Sequence, residues 1–291
     1  MKNKRTIQTN IIKELKNKTI LITGGAGSLG IVLTKKLLQY PIRTVRILDI
    51  DEHALFKLKR RIDDSRLRLL LGSVLDQERV EMAGNKIDII FHLAAIKNIE
   101  ISEYNPIETI STNVNGTVNM IKMAIRNKPK KFINISTDKA AEATTLYGIT
   151  KHLSEKLTSW AGIHIGTTKF GSLRFGNMIE TRGNVFEIWN EELKNNQPLS
   201  ITDPLSERYF IHTEEAADVI LRCLPLISTG EIIIPKMKSY NIKEAAMKLS
   251  KNHKKIGLRP GEKIREILIT ETEKKLAEER KDMWIIRPHI Y

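Results

Sequence analysis

Between Thr19 and Ser136, short runs of β-branched and apolar residues alternate with longer stretches whose apolar positions recur every three or four residues. A strand period followed by a helix period, repeated, indicates parallel strands joined by crossover helices. The runs TILIT (19–23), TVRILDI (44–50), RLRLLLG (66–72), IDIIFHLA (87–94) and KFINIS (131–136) predict five strands, with helices between them such as 29–40 and 105–126. The expected class is α/β, a doubly wound parallel sheet whose ligands sit at the carboxyl ends of the strands. After Phe175 the alternation loosens into turn-rich pieces around 181–184, 200–204 and 259–262. The expected division is a domain over 1–175, to which part of 205–235 returns, and a smaller C-terminal lobe made of 176–204 and 236–291. No repeat and no Gly/Ser- or Pro-rich linker separates them, so one cleft between two packed lobes is expected.

Composition narrows this picture. With 41% hydrophobic and 28% charged residues, the 291-residue chain can bury a core and is not of the disordered or low-complexity kind. The net charge of +14 comes from scattered clusters, Lys2–Arg5, Lys57–Arg61 and Lys128–Lys131, which read as solvated helix faces; no nucleic-acid partner is expected. The single cysteine, Cys223, lies in the apolar stretch LRCLPLI and reads as a buried thiol. It excludes an internal disulfide or a multi-cysteine metal site, and no metal is expected. No apolar run approaches a membrane span and no leader is visible at the N-terminus, so the expectation is a soluble, cytoplasmic protein.

The first strand runs into Gly24-Gly25-Ala26-Gly27-Ser28-Leu29-Gly30 and then a helix. Glycines at 24, 27 and 30 in the order strand, loop, helix suit a tight turn whose backbone N–H groups approach a pyrophosphate at the positive end of the helix. Asp49 ends the second strand about 20 residues later, where a carboxylate can accept from adenosine ribose hydroxyls and would repel a 2′-phosphate. NAD is therefore expected ahead of NADP, although Arg46, Lys57, Arg60 and Arg61 are close in sequence. Tyr147 and Lys151, spaced i, i+4 on a predicted helix, share a face. A nearby ammonium favours the phenolate, which can take a proton from a substrate hydroxyl. Ser136, Thr137, Asp138 and Lys139 end the fifth strand, and Asn113 lies on the preceding helix; both support that placement.

Taken in order, TGGAGSLG, FHLAAIKN, EYNPIETISTNVNGT, STDKAAEATTLYGITK, LRFGNMIETRGNV, ITDPLSERYF, PKMKS and LRPGEK resemble successive blocks of the extended short-chain dehydrogenase/reductases. Within these, the chain resembles the NDP-sugar 4,6-dehydratases of the polysaccharide-biosynthesis branch, and Asp138-Lys139 resembles the pair of the UDP-N-acetylglucosamine enzymes. The resemblance implies a Rossmann-type domain with a substrate-binding lobe, a UDP-sugar substrate and a homo-oligomer, with the helices over 105–126 and 144–160 as a contact surface. It implies that Thr137 bonds the carbon 4 oxygen, that Tyr147 is its base, and that Lys151 binds ribose and lowers the tyrosine's pKa. Asp138 would protonate the departing 6-hydroxyl and Lys139 would take the carbon 5 proton, with Asn113 completing the catalytic set. Cofactor contacts would include Gly24, Gly27, Ser28, Leu29, Gly30, Asp49, Ser73, Val74, Ala94, Ala95 and Lys97. Asn177, Arg182, Arg208 and Arg259 would meet the substrate, the arginines at its pyrophosphate, and Glu262 the uridine ribose. The chain departs from the family pattern at Ser73, at Asn98 and at Glu142-Ala143. A UDP-sugar 4-epimerase, which needs no elimination pair, and a non-catalytic NAD-binding sensor or scaffold are the alternative readings.

Overall fold

The apolar runs become strands because both faces of a central parallel strand are covered, leaving no place for alternation. A computed structural model describes residues 2–288, with side chains from Thr6 onward, so the side chains of the Lys2–Arg5 cluster lie outside the described residues. The five expected strands form β1 (Thr19–Thr23), β2 (Thr44–Asp49), β3 (Leu67–Leu71), β4 (Ile89–His92) and β5 (Lys131–Thr137). They are followed by β6 (Lys169–Phe175), β7 (Asn177–Met178), β8 (Leu199–Ile201), β9 (Glu207–Ile211), β10 (Glu231–Pro235), β11 (Ser239–Asn241), β12 (His253–Lys255), β13 (Ala277–Glu279) and β14 (Met283–Ile286). One nine-stranded sheet runs β13-β14-β10-β6-β5-β4-β1-β2-β3. It is parallel from β3 to β10, and β14 and β13 close the edge antiparallel. The strand order reverses between β1 and β4, and a crevice opens there at the strands' carboxyl ends.

The helices are α1 (Lys2–Leu15), α2 (Ser28–Leu37), α3 (Glu52–Arg61), α4 (Gln77–Gly84), α5 (Ile99–Tyr104), α6 (Pro106–Ile110), α7 (Gly116–Asn127), α8 (Leu146–His164), α9 (Val185–Lys194), α10 (Thr213–Cys223), α11 (Ile242–Met247) and α12 (Glu271–Leu276). On one side of the sheet α1, α2, α3 and α10 bury Ile11, Leu33, Leu58 and Ile220; on the other α4, α7 and α8 bury Val80, Met120 and Ala161. The N-terminal helix was not anticipated, yet Ile7, Ile11 and Leu15 carry the i, i+4, i+8 stripe that seats it. Its Glu14 pairs with buried Lys131 at 3.0 Å, whose ammonium also donates to the Leu224 carbonyl at 2.6 Å. The single helix expected over 105–126 is instead α6 and α7 joined by a π-helical turn, Ser111–Asn115, where Gly116 N–H donates to the Ser111 carbonyl. Cys223 is buried, and burial pushes its thiol up to about 12.

A three-stranded sheet, β11-β9-β7, and the pair β12-β8 build the smaller lobe around buried Trp189, Leu199 and Phe210. Residues 277–286, grouped with that lobe on the sequence, join the large sheet instead, β14 pairing with β10 and β13 with β14. The cause is the alternation in β14, which buries Met283 and Ile285 on the sheet's core side.

Arg174 on β6 ties these parts together. It is fully buried, and all five of its N–H groups are used. Nε and Nη2 hold Glu155 of α8 at 3.0 and 2.8 Å, Nη1 and Nη2 hold Glu273 of α12 at 2.9 Å each, and Nη1 also donates to the Leu268 carbonyl at 2.9 Å. Burial opposes the charge, but Glu155 and then Glu273 more than offset it and raise the guanidinium's pKa. Replacing one member of such a set strands the others, so Arg174→Met should cost about 3–5 kcal/mol, measurable as a lower urea midpoint at unchanged slope. A loss under about 1 kcal/mol would show that the two glutamates find other partners.

Candidate active site

A cavity of about 840 Å³ lies over the carboxyl ends of β1, β2, β4 and β5 and under the smaller lobe, within the range of small-molecule sites. Its first half is the turn from β1 into α2. Gly24 has φ +64°, and a Cβ there would lie 2.8 Å from the Ala94 backbone; a Cβ at Gly30 would lie 2.5 Å from Gly25. Glycine is thus required for the close approach of β1, β4 and α2. Gly27 caps α2 without a side-chain acceptor, leaving the first-turn N–H groups to an anion. Asp49 accepts from Ala26 N–H at 2.9 Å and Asp51 N–H at 3.1 Å, so it braces the loop as well as facing the cavity. Together these residues fit a dinucleotide. Arg46, three residues before Asp49, points to the opposite side of the strand and donates to the carbonyls of Ala83 and Asn85, away from the carboxylate.

Ser28, Leu29, Ser73, Val74, Ala94, Ala95 and Lys97 also line this half. Burial lowers the Lys97 pKa against the opposing charge of Glu187, and its ammonium donates to the Arg182 carbonyl at 2.8 Å. Arg182 was expected with the substrate arginines. It sits instead beside the glycine turn: its N–H donates to Ser28 Oγ at 3.3 Å, and its guanidinium is 3.7 Å from Asp51. The loop after β7 carries it there, while Arg208 and Arg259 stand on the other side of the cleft.

The second half collects the reactive groups. Lys139 Nζ lies 3.1 Å from Asp138 Oδ1, 3.1 Å from Asn177 Oδ1 and 3.6 Å from Glu266 Oε1. Thr137 Oγ1 donates to Asp138 Oδ1 at 3.0 Å. Burial works against the Lys139 charge, but Asp138 and Glu266 prevail and raise its pKa. Tyr147 is pushed up by burial, opposed by Lys139 and by a hydrogen bond with Thr137. Lys139, not Lys151, is therefore the cation acting on the phenol. Lys151 lies deeper, 3.5 Å from Asn134 Oδ1, and burial lowers it to about 8 against the pull of Glu155. Thr137, Lys139, Tyr147, Lys151 and Asn177 border the cavity; Asp138 is fully buried and off its wall. Asn113 is off the wall too. Its amide bonds Ile96 N–H and carbonyl and Thr150 Oγ1, at 2.8, 2.9 and 3.0 Å, so it supports the loop and α8 and does not reach the reacting atoms. The π-helical turn aims it inward.

Across the cleft Arg208 Nη2 pairs with Glu262 at 2.7 Å, Glu262 accepts from Arg259 N–H at 3.1 Å, and the Arg259 guanidinium pairs with Glu100 of α5. Two groups were missed on the sequence. Arg174 interrupts the apolar run of β6, a signal for a buried charge. Glu266 lies between Ile264 and buried Leu268, where nothing local distinguishes it from a surface residue. Among the described residues there is no cluster able to hold a metal ion and no helix long and apolar enough to cross a membrane.

The model of the family described as polysaccharide biosynthesis protein matches residues 20–288. The chain belongs to that family. As a member of the polysaccharide biosynthesis family, it is 38% identical over 279 residues to the UDP-N-acetylglucosamine 4,6-dehydratase (inverting) of Campylobacter jejuni, covering 94% of this chain and 84% of that one. It is 32% identical over 282 residues to the UDP-glucose 4-epimerase of Rickettsia rickettsii, covering 93% and 83%. The X-ray structure of Pen from Bacillus thuringiensis superposes with a TM-score of 0.89 at 34% identity, covering 94% and 89%. This family member is thus an enzyme of the sugar-nucleotide dehydratase and epimerase group, with the Rossmann-type fold of short-chain dehydrogenase/reductases.

The depressed Lys151 carries a pH signature in the ligand-free protein. Its pKa is about 8 folded against 10.5 for the free side chain, so between those values the unfolded chain binds more protons and stability rises with pH. Below pH 8 both states are protonated and the cost of the buried charge is constant. Lys151→Met should remove that rise, seen as urea midpoints at pH 8 and pH 10 that no longer differ by this contribution. An identical pH dependence in wild type and variant would place the titration elsewhere.

Proposed function

We propose that the protein is an NAD-dependent 4,6-dehydratase acting on UDP-N-acetylglucosamine to give a 4-keto-6-deoxy sugar nucleotide. The observation that carries this is the Asp138–Lys139 pair at the end of β5, beside Thr137 and Tyr147: elimination needs an acid and a base at adjacent carbons, and an epimerase does not. The name of the Campylobacter relative supports the substrate, and Asp49 supports NAD over NADP.

In this reading Thr137 orients the carbon 4 oxygen and Tyr147 takes its proton. The bound nicotinamide dinucleotide supplies the electron acceptor at carbon 4 and the donor at carbon 6. Lys151 holds the ribose, while the carbon 4 ketone acidifies carbon 5 and Lys139 removes its proton. Asp138 turns its unpaired Oδ2 to the departing 6-hydroxyl and gives it a proton. Arg208 and Arg259 leave their carboxylate partners for the substrate pyrophosphate, guanidinium forks suiting phosphate oxygens, and Glu262 takes the uridine ribose. Arg182 serves the dinucleotide side.

Incubated with UDP-N-acetylglucosamine, the enzyme should yield a product lighter by one water. Asp138→Asn should lower its formation about 100-fold or more, while carbon 4 is still oxidised. A product of unchanged mass with carbon 4 epimerised would overturn this reading and leave the 4-epimerase.

The homo-oligomer is proposed on the outer faces of α5, α6 and α8, which leave Tyr104, Ile107, Ile110, Ile149, Leu153 and Trp160 exposed, large apolar side chains that burial against a second copy would remove from water. Sedimentation should give a dimer or larger, and Leu153→Glu with Trp160→Glu should shift it to monomer. A monomeric wild type at micromolar concentration would refute the assignment.

A further inference from the structure

Among the described residues that border the cavity, two carry a buried side-chain oxygen without a hydrogen-bond partner: Ser136 through Oγ and Glu266 through Oε2. A serine hydroxyl is neutral and turns to donate or accept. A carboxylate only accepts, and leaving it unmet out of water costs far more. Glu266 is 6% exposed. Its Oε1 faces the Lys139 ammonium at 3.6 Å, beyond hydrogen-bond reach, so Lys139 supplies an opposite charge but no hydrogen bond. Lys139 donates instead to Asp138 and Asn177, at 3.1 Å each. The backbone around Glu266 is pinned two residues away on either side: Glu207 N–H donates to the Ile264 carbonyl at 2.8 Å, and Arg174 holds the Leu268 carbonyl at 2.9 Å. A buried carboxylate so held, on the wall of a cavity and without a hydrogen bond, is completed by a donor that enters the cavity.

We propose that Glu266 is a substrate-binding residue that accepts a hydrogen bond from a hydroxyl of the sugar, so that the site reads the sugar as well as the nucleotide. The inference rests on the UDP-sugar reading. Position selects the sugar: Glu266 stands beside Lys139 and the end of β5, where the reacting carbons are assigned, while Arg208, Glu262 and Arg259 serve the nucleotide end. A pyrophosphate offers no donor and repels a carboxylate, whereas a pyranose carries hydroxyl donors around its ring. Thr137 and Tyr147 take the one on carbon 4, and Glu266 takes another. A charged acceptor makes one of the stronger hydrogen bonds. Because Glu266 is already out of water in the ligand-free protein, that bond is not offset by stripping water from the carboxylate when the ligand binds.

The test measures calorimetric binding of UDP-N-acetylglucosamine, UDP and NAD to the full chain, the first two with NAD bound, in a Tyr147→Phe background that stops turnover. With Glu266 intact, UDP-N-acetylglucosamine should bind more tightly than UDP. Glu266→Leu should weaken UDP-N-acetylglucosamine binding about 10-fold or more and leave the dissociation constants of UDP and NAD unchanged. Glu266→Gln, which keeps one acceptor oxygen in place, should recover part of that loss. Adding Lys139→Met should leave the Glu266→Leu loss intact, because the contact is direct. An unchanged preference for the sugar nucleotide over UDP in Glu266→Leu would overturn the proposal. So would an equal weakening of both ligands, which marks a structural role, or a loss that vanishes with Lys139→Met, which makes Glu266 a partner of Lys139 alone. A fall in NAD affinity alone would give the carboxylate to the cofactor and overturn it as well. A chain with Glu266 intact that binds neither UDP nor UDP-N-acetylglucosamine would instead overturn the UDP-sugar reading, and this inference with it.

Discussion

The buried guanidinium of Arg174 is the constraint on which the geometry of the cleft depends. It stands on a strand of the large sheet and grips α8 through Glu155 and the C-terminal segment through Glu273 and the Leu268 carbonyl. The helix it grips carries Tyr147 and Lys151; the segment it grips carries Glu266. A charge removed from water persists only where every donor is met. The same requirement that keeps Arg174 from destabilising the fold therefore sets the separation of the two sides of the reactive cluster.

That cluster works by unequal environments. Lys139 and Lys151 are both buried, yet the first is held charged by two carboxylates and the second is pushed toward neutrality by burial. Side chains of one type are thus shifted in opposite directions by their surroundings. Asp138 Oδ2 and Glu266 Oε2 are left without hydrogen-bond partners among the described residues, and only Glu266 of the two borders the cavity.

The cofactor half follows from backbone rather than charge. Glycine at 24 and 30 lets β1, β4 and α2 approach to distances a Cβ would forbid, and Asp49 holds the turn through Ala26 N–H. Lys97 and Arg182 tie the loop after β7 to this half, Lys97 through the Arg182 carbonyl and Arg182 through Ser28. Pairs such as Arg259 with Glu100 span the lobes in the same way.

Much of this was legible in the chain because it is local. Strand and helix periods follow from which face is buried within a few residues, the glycine turn from consecutive positions, and the shared face of Tyr147 and Lys151 from the helical repeat. The sequence also placed Thr137, Asp138 and Lys139 at a strand end, where a doubly wound sheet collects ligands. Tertiary structure alone decided that residues 277–286 return to the large sheet, that Arg182 turns to the cofactor side, that Lys139 rather than Lys151 acts on Tyr147, that Asn113 supports a loop, and that Glu266 faces Lys139. These are contacts between residues distant along the chain, brought together by packing. Local periodicity records which side of an element is buried, but not which distant charge will be buried against it.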